Sequence, residues 1–184
     1  MEQKKTVVLI AFYNVKALGV RYLETALEKG GYRVKVIFFK GFNSQDPEVC
    51  TAREVELCVE EVEKENPVYV ESVELLCDGL RKTGIPMIFG GAFASMFPDR
   101  MLDLGGSYVV RADGEIPMVK LANAIAAGES GRAFPSVCYR DDDGKVIANP
   151  IGDLLENIDE YGLPTINSKG ACYIEHDTVT YGDP

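Results

Sequence analysis

Thr6-Val-Val-Leu-Ile-Ala11, followed by the switch of period at Gly19 and by Val34-Lys-Val-Ile-Phe-Phe39, is the stretch that decides the fold. A strand with one wet face alternates apolar and polar residues. A continuous apolar run such as 6–11 reads as a strand buried on both faces. From Gly19 the spacing becomes helical, with Val20, Leu23 and Leu27 on one stripe and Lys29-Gly-Gly31 closing the helix. Strand, helix and strand within 34 residues predict a parallel pair joined by a crossover helix.

Working outward, the alternation continues. Gly41 to Pro47 is a polar loop, and a helix runs from about Thr51 to Lys64. The acids of that helix, Glu54, Glu56, Glu60, Glu61 and Glu63, read as a solvated face. Val70, Val73, Leu76, Cys77 and Leu80 give a further helix, ended by Thr83-Gly84. Ile85-Pro-Met-Ile-Phe89 is a strand running into Gly90-Gly91. Pro98 to Leu104 make a short helix, Tyr108-Val-Val110 a strand, and Gly114 opens a helix reaching about Ala127. The class is α/β, a doubly wound parallel sheet with helices on both faces.

Three regions depart from this rhythm. Two helices follow one another across Asn66-Pro67, so a strand and its loop read as missing, with residues omitted between Pro67 and Val68. Ser136-Val-Cys-Tyr-Arg140 and Lys145-Val-Ile-Ala148 flank Asp141-Asp-Asp-Gly144, a β-hairpin expected to project as a small C-terminal unit. After Asn149 periodicity fades, and Leu163-Pro164 to Pro184 reads as an extended tail. The divisions are an α/β domain over 1–130, a hairpin appendage over 131–150 and a linker over 151–184.

Composition narrows the function. The chain has 184 residues, 46% hydrophobic and 26% charged, which is ordinary globular usage. A net charge of −10 disfavours non-specific binding to nucleic acid or anionic membrane. No apolar run approaches the ~20 residues of a membrane helix, and Met1 to Lys5 lead straight into the first strand without a signal-peptide core. The expected compartment is cytoplasmic. The five cysteines, Cys50, Cys58, Cys77, Cys138 and Cys172, stand at wide spacings and read as buried free thiols. His176, the single histidine, lies in the polar tail, remote in sequence from the loops at the strand ends. No catalytic residue is expected.

In an open parallel sheet, ligands bind at the carboxyl ends of the strands. The loops there are Phe12 to Gly19, Lys40 to Pro47, Gly90 to Phe97 and Arg111 to Glu115. Gly90-Gly91 admits a ligand close to the backbone, and Gly19 and Gly114 open helices whose amino ends attract anions. Asn14 and Lys16 are the polar residues of the first loop, read either as turn and surface residues or as ligand contacts. No G-x-G-x-x-G follows the first strand, no P-loop lysine motif occurs, and the first strand carries no acidic phosphoacceptor cluster.

Asn14-Val-Lys-Ala-Leu-Gly-Val-Arg-Tyr-Leu23, Gly30-Gly-Tyr-Arg-Val34, Ile88-Phe-Gly-Gly-Ala92, Tyr108-Val-Val-Arg-Ala-Asp-Gly-Glu115 and Val137-Cys-Tyr-Arg-Asp-Asp-Asp-Gly144 occur in that order. Together they resemble the amino-terminal cobalamin-binding module of B12-dependent radical S-adenosylmethionine enzymes. That group includes the anaerobic magnesium-protoporphyrin IX monomethyl ester oxidative cyclase and many methyltransferases. The resemblance covers nearly the whole chain. It implies a flavodoxin-like (Rossmann-like) fold that holds cobalamin between its carboxyl-end loops and a following catalytic barrel.

It also implies the contacts Asn14, Lys16, Leu18, Gly19, Gly90, Gly91, Ala92, Gly114 and Glu115. Related modules read D-x-H-x-x-G in the first loop, with the histidine on cobalt. Here Lys16 takes that place, which implies cobalamin without a protein histidine ligand. The cysteine triplet that begins the barrel is absent, so a [4Fe–4S] cluster and S-adenosylmethionine are expected only in that further domain, and the chain reads as an excised, non-catalytic module. Two other readings stand beside it: a degenerate docking domain that binds no cofactor, and a flavin or nucleotide binder on the same fold.

Overall fold

The computed structural model describes residues 4–12, 18–40, 50–67, 70–71, 76–152, 157, 164 and 170–182. Strands β1 (Thr6–Phe12) and β2 (Arg33–Phe39) pair in parallel along their whole length, Thr6 opposite Arg33 and Phe12 opposite Phe39. Helix α1 (Leu18–Lys29) joins them, as the period change at Gly19 predicts. Then follow α2 (Ala52–Glu65), β3 (Val70–Glu71), α3 (Cys77–Arg81) and β4 (Met87–Phe89). After them come α4 (Gly91–Met96), α5 (Pro98–Asp103), β5 (Tyr108–Val110) and α6 (Glu115–Ala127). Two hairpins complete the order, β6 (Val137–Arg140) with β7 (Val146–Ala148), and β8 (Cys172–Glu175) with β9 (Thr178–Tyr181).

Among the described residues these strands make one sheet, β7-β6-β5-β4-β3-β1-β2-β8-β9. Its centre, β5-β4-β3-β1-β2, is parallel throughout and has the flavodoxin-like order. Alternate residues feed two cores. Val8, Ile10, Ile37 and Phe39 pack under α2, α3 and α5 with Leu57, Leu80 and Met101. Val7, Leu9, Val36 and Phe38 pack under α1 and α6 with Leu27, Met118 and Leu121. Every residue from Thr6 to Ala11 is buried, which is why that run shows no alternation. No helix among the described residues is long and apolar enough to cross a membrane.

The structure corrects several expectations. The central strand is present: Val70 pairs with Val8 and Met87, and Glu71 with Leu9 and Ile88. Of the stretch expected as a helix from Val70 to Leu80, Cys77–Arg81 begins a helix, Val70-Glu71 is instead a ladder between β1 and β4, and residues 72–75 lie outside the described residues. The Pro67–Val68 junction lies outside the described residues. The hairpin around Asp141 to Gly144 forms, but does not project; β6 pairs antiparallel with β5 and carries the sheet onward. The stretch read as an extended tail holds β8, parallel to β2, and β9, antiparallel to β8. Its strand signal is two short alternating runs, Cys172 and Ile174 buried between half-buried Tyr173 and Glu175.

The acidic face of α2 is also not uniformly solvated. Glu54 and Glu61 are buried at 0% and 2% exposure, facing one cation just after β2 and one within it. Lys40 Nζ lies 3.1 Å from Glu54 Oε2, and Lys35 Nζ 3.4 Å from Glu61 Oε2. Glu54 closes a capping box: the Thr51 N–H donates to its carboxylate at 2.9 Å, and its own N–H donates to Thr51 Oγ1 at 3.1 Å. The same row docks the second hairpin. The Tyr181 hydroxyl donates to Glu61 Oε1 at 2.6 Å, and Thr51 Oγ1 donates to Asp177. Burial alone would raise both carboxyls. For Glu54 the Thr51 N–H and Lys40 outweigh it, and for Glu61 Lys64, Tyr181 and Lys35 do so, holding both below the usual value of 4.5.

Glu54→Ala strips the buried Lys40 ammonium of this counter-charge and is expected to cost about 3–5 kcal/mol in urea unfolding. The carboxylates ionise more readily folded than unfolded, so their contribution is complete at neutral pH. It is lost as pH falls below about 4.5 through the lower folded values. The urea midpoint of the parent chain should fall over that window, and that of Glu54→Ala should fall less.

Candidate functional site

At the carboxyl ends of β1, β4 and β5 the structure holds a cleft of about 430 Å³. β1 contributes Ile10, Ala11 and Phe12, and the first turns of α1 contribute Gly19, Val20 and Leu23. Gly90 and Gly91 enter from the end of β4, and Val110, Ala112, Asp113, Gly114, Glu115 and Met118 from β5 and α6. The cleft lies beside β1, where the connections depart to opposite sides of the sheet, the usual ligand position of an open α/β sheet.

Local sequence explains each edge. β4 turns directly into α4 at Gly90, whose extended backbone caps the helix without a side chain; Gly91 follows with φ +87°. Ala112 is also left-handed at φ +62°, and its N–H donates to Ser95 Oγ at 3.3 Å, tying the β5 loop to α4. Gly114 is the N-cap of α6, and a Cβ there would lie 3.1 Å from Leu23 Cδ2, so glycine lets α1 and α6 approach across the cleft. Glu115, the first residue of α6, is only 8% exposed. The first turn of α1, on the facing wall, carries no acid.

Gly19, Gly90, Gly91, Gly114 and Glu115, five of the residues singled out from sequence, therefore line one cleft. Leu18 stands at the start of α1 with 60% exposure and Ala92 is exposed in α4; neither lines it. Asn14 and Lys16 lie outside the described residues. Sequence reasoning missed the apolar lining, Ile10 to Phe12, Val20, Leu23, Val110 and Met118. Their signal was present, but apolar residues at strand and helix spacing read as core. It also missed α4, whose Phe93 and Met96, with Phe97 just beyond its end, are exposed at 48%, 66% and 49% on the segment that follows Gly91.

His176 is remote in sequence but not in the fold. It occupies the β8–β9 turn beyond Glu175, and β8 runs parallel to β2, so the turn lies at the same sheet edge as the cleft loops. No His or Cys lines the cleft, and no group of three His, Cys, Asp or Glu among the described residues could hold a metal. Cys58, Cys77, Cys138 and Cys172 are buried free thiols. Burial raises Cys58, Cys138 and Cys172, the last to about 11, so they stay protonated at neutral pH.

No protein-family model matches the sequence, and no curated protein matches it. Solved structures do. The chain is similar to the radical S-adenosylmethionine methyltransferase TsrM from Kitasatospora setae with cobalamin and a [4Fe–4S] cluster bound, at 22% identity and a TM-score of 0.64, over 80% of this chain and 31% of that one. It is similar to the cobalamin-dependent S-adenosylmethionine radical enzyme OxsB with aqua-cobalamin bound, at 14% identity and a TM-score of 0.61, over 83% of this chain and 23% of that one. The chain thus spans under a third of the length of these structures. At such identities the likeness establishes a shared fold.

Two of the four cleft glycines should respond differently to a methyl group. Gly91→Ala forces an L side chain to φ +87° and should cost about 1–2 kcal/mol in thermal or urea unfolding. Gly19→Ala meets nothing within 4 Å, lies in a helix, and should be neutral or stabilising by up to about 1 kcal/mol.

Proposed function

We propose that this chain is the cobalamin-binding module of a larger radical S-adenosylmethionine enzyme of the methyltransferase or oxidative cyclase type. The observation that carries the reading is the glycine-edged apolar cleft at the carboxyl ends of β1, β4 and β5, on a fold shared with cobalamin-bound enzymes. Residues 1–130 hold the cofactor in this reading, and 131–150 extend their sheet. The parent enzyme is cytoplasmic, and its catalytic barrel, with the [4Fe–4S] cluster and S-adenosylmethionine, is a separate partner domain.

The residues present suit that cofactor. Ligand sites run from ~300 to ~1,000 Å³. A cleft of about 430 Å³ would have room for the nucleotide tail rather than the macrocycle. Gly90, Gly91 and Gly114 bring backbone rather than side chains to the tail. The corrin would then be held at the mouth by exposed Leu18 and Phe93, which stand on helices that begin at the cleft, with Ala92, Asn14 and Lys16 as further candidate contacts. Bound cobalamin supplies the cobalt chemistry; the chain supplies placement and exclusion of water. A protonated lysine has no lone pair to give, so Lys16 itself would not serve as a ligand to the metal of a bound cobalamin.

Incubation with hydroxocobalamin followed by desalting tests the reading. The expected result is retained red colour, abolished by Gly19→Trp, which fills the cleft from a position with open space. His176→Ala should leave the visible spectrum unchanged. A colourless parent chain would overturn the proposal in favour of a docking domain, and retention of a flavin instead would favour a different cofactor on the same fold.

A further inference from the structure

Among the described residues the sheet has two edges, β7 and β9, and they are built differently. Hydrogen-bonded pairs alternate along an antiparallel ladder. At β7 the Asp141 N–H donates to the Lys145 carbonyl and the Asn149 N–H to that of Val137, so Val146 and Ala148 turn their backbone groups outward. The next outward position is Pro150, which has no N–H, and exposed Asp142 and Asp143 stand at the tip. Proline and charge are devices that keep an edge from pairing with another chain.

β9 carries neither device. Its residues, Thr178-Val-Thr-Tyr181, are uncharged and β-branched or aromatic, the usage of an interior strand. The turn His176-Asp177, left-handed at φ +50° and +56°, is the two-residue type that fixes hairpin register. It makes Glu175 and Thr178 a hydrogen-bonded pair, and further along the Gly182 N–H donates to the Ala171 carbonyl at 3.3 Å. Val179 and Tyr181 occupy the alternate positions, so their N–H and C=O groups point away from β8. Ile174, opposite Val179, has the same phase: its carbonyl turns from β9 and accepts from the Lys40 N–H. Val179 packs on the core under α2, Tyr181 reaches Glu61 on that same face, and Thr180 stands exposed on the other.

This edge is complementary to itself. An antiparallel copy meets every outward group in one register, with Val179 opposite Tyr181 of the second copy and the two Thr180 residues facing each other across a two-fold axis. The side-chain pairs are favourable ones, β-branched on aromatic and threonine on threonine, and no like charges meet between Thr178 and Gly182. We propose that β9 is a self-association edge, through which two copies of this chain join into one continuous sheet. So short a ladder buries little area, and the dimer is weak and concentration-dependent. It requires no cofactor and stands whether or not the cleft binds one.

Sedimentation velocity of the ligand-free chain between about 10 µM and about 1 mM tests the proposal. The sedimentation coefficient should rise with concentration from the monomer value toward that of a dimer. Thr180→Lys and Thr180→Asp each set like charges across the axis and should each weaken association about fivefold or more. An equimolar mixture of the two sets lysine against aspartate and should restore the parent level. The two substitutions move the net charge of −10 in opposite directions, so a general charge effect would shift them apart, whereas this register weakens both. Recovery in the mixture also shows that both variants are folded. The proposal is overturned by association that survives either substitution, or by a mixture no stronger than its components. A parent chain that stays monomeric throughout overturns it as well and leaves β9 to a strand of a different protein.

Discussion

The two-sided burial of β1 is the constraint on which the rest of the molecule depends. Each residue from Thr6 to Ala11 lies at or below 6% exposure, and the strand pairs with β2 over seven residues. Such a strand carries almost only apolar side chains and needs helices on both faces. α1 and α6 cover one, and α2, α3 and α5 the other. Placing the connections on opposite faces opens a crevice where they part. The cleft is thus a by-product of covering β1, and its floor is made of the last core residues, Ile10, Val110 and Met118.

Much of this was legible because the signals were local. The run at Thr6, the stripe of Val20, Leu23 and Leu27, and Gly114 before an alanine-rich helix each report on their own neighbourhood. That Gly19, Gly90, Gly91 and Gly114 come together at one cleft was legible for the same reason, since glycines where strands pass into helices mark where backbone can be approached closely. What failed was non-local. Val70-Glu71 is too short to read as a strand and gains its identity from β1 and β4 on either side. β8 borrows the edge of β2 in the same way. Glu54 and Glu61 look like solvated acids until Lys35 and Lys40, brought alongside by the crossover, turn them inward.

The cleft and the α2 row handle buried charge in opposite ways. Along α2 every buried carboxylate meets a cation, and the result is adhesion: strand, helix and hairpin are fastened together where hydrophobic area alone is thin. In the cleft the carboxylate of Glu115 is left open. Breaking a buried pair is expensive because it leaves a lone charge, whereas a carboxylate that meets solvent can exchange water for another donor at little cost. One arrangement favours permanence and the other exchange.

The direction of β9 has a consequence for anything attached to this domain. β8 runs with β2 toward the cleft edge, and β9 runs back, so Tyr181 reaches Glu61 near the far end of α2. The backbone at Gly182, whose N–H donates to Ala171, therefore faces away from the cleft. A segment continuing from there toward the cleft must climb the height of the sheet. For a strand of seven residues that is ~23 Å, or about seven extended residues. Any lid tethered at that point is a strap passing along the outer flank of the hairpin, and its reach, rather than its affinity alone, sets how closely it can shut.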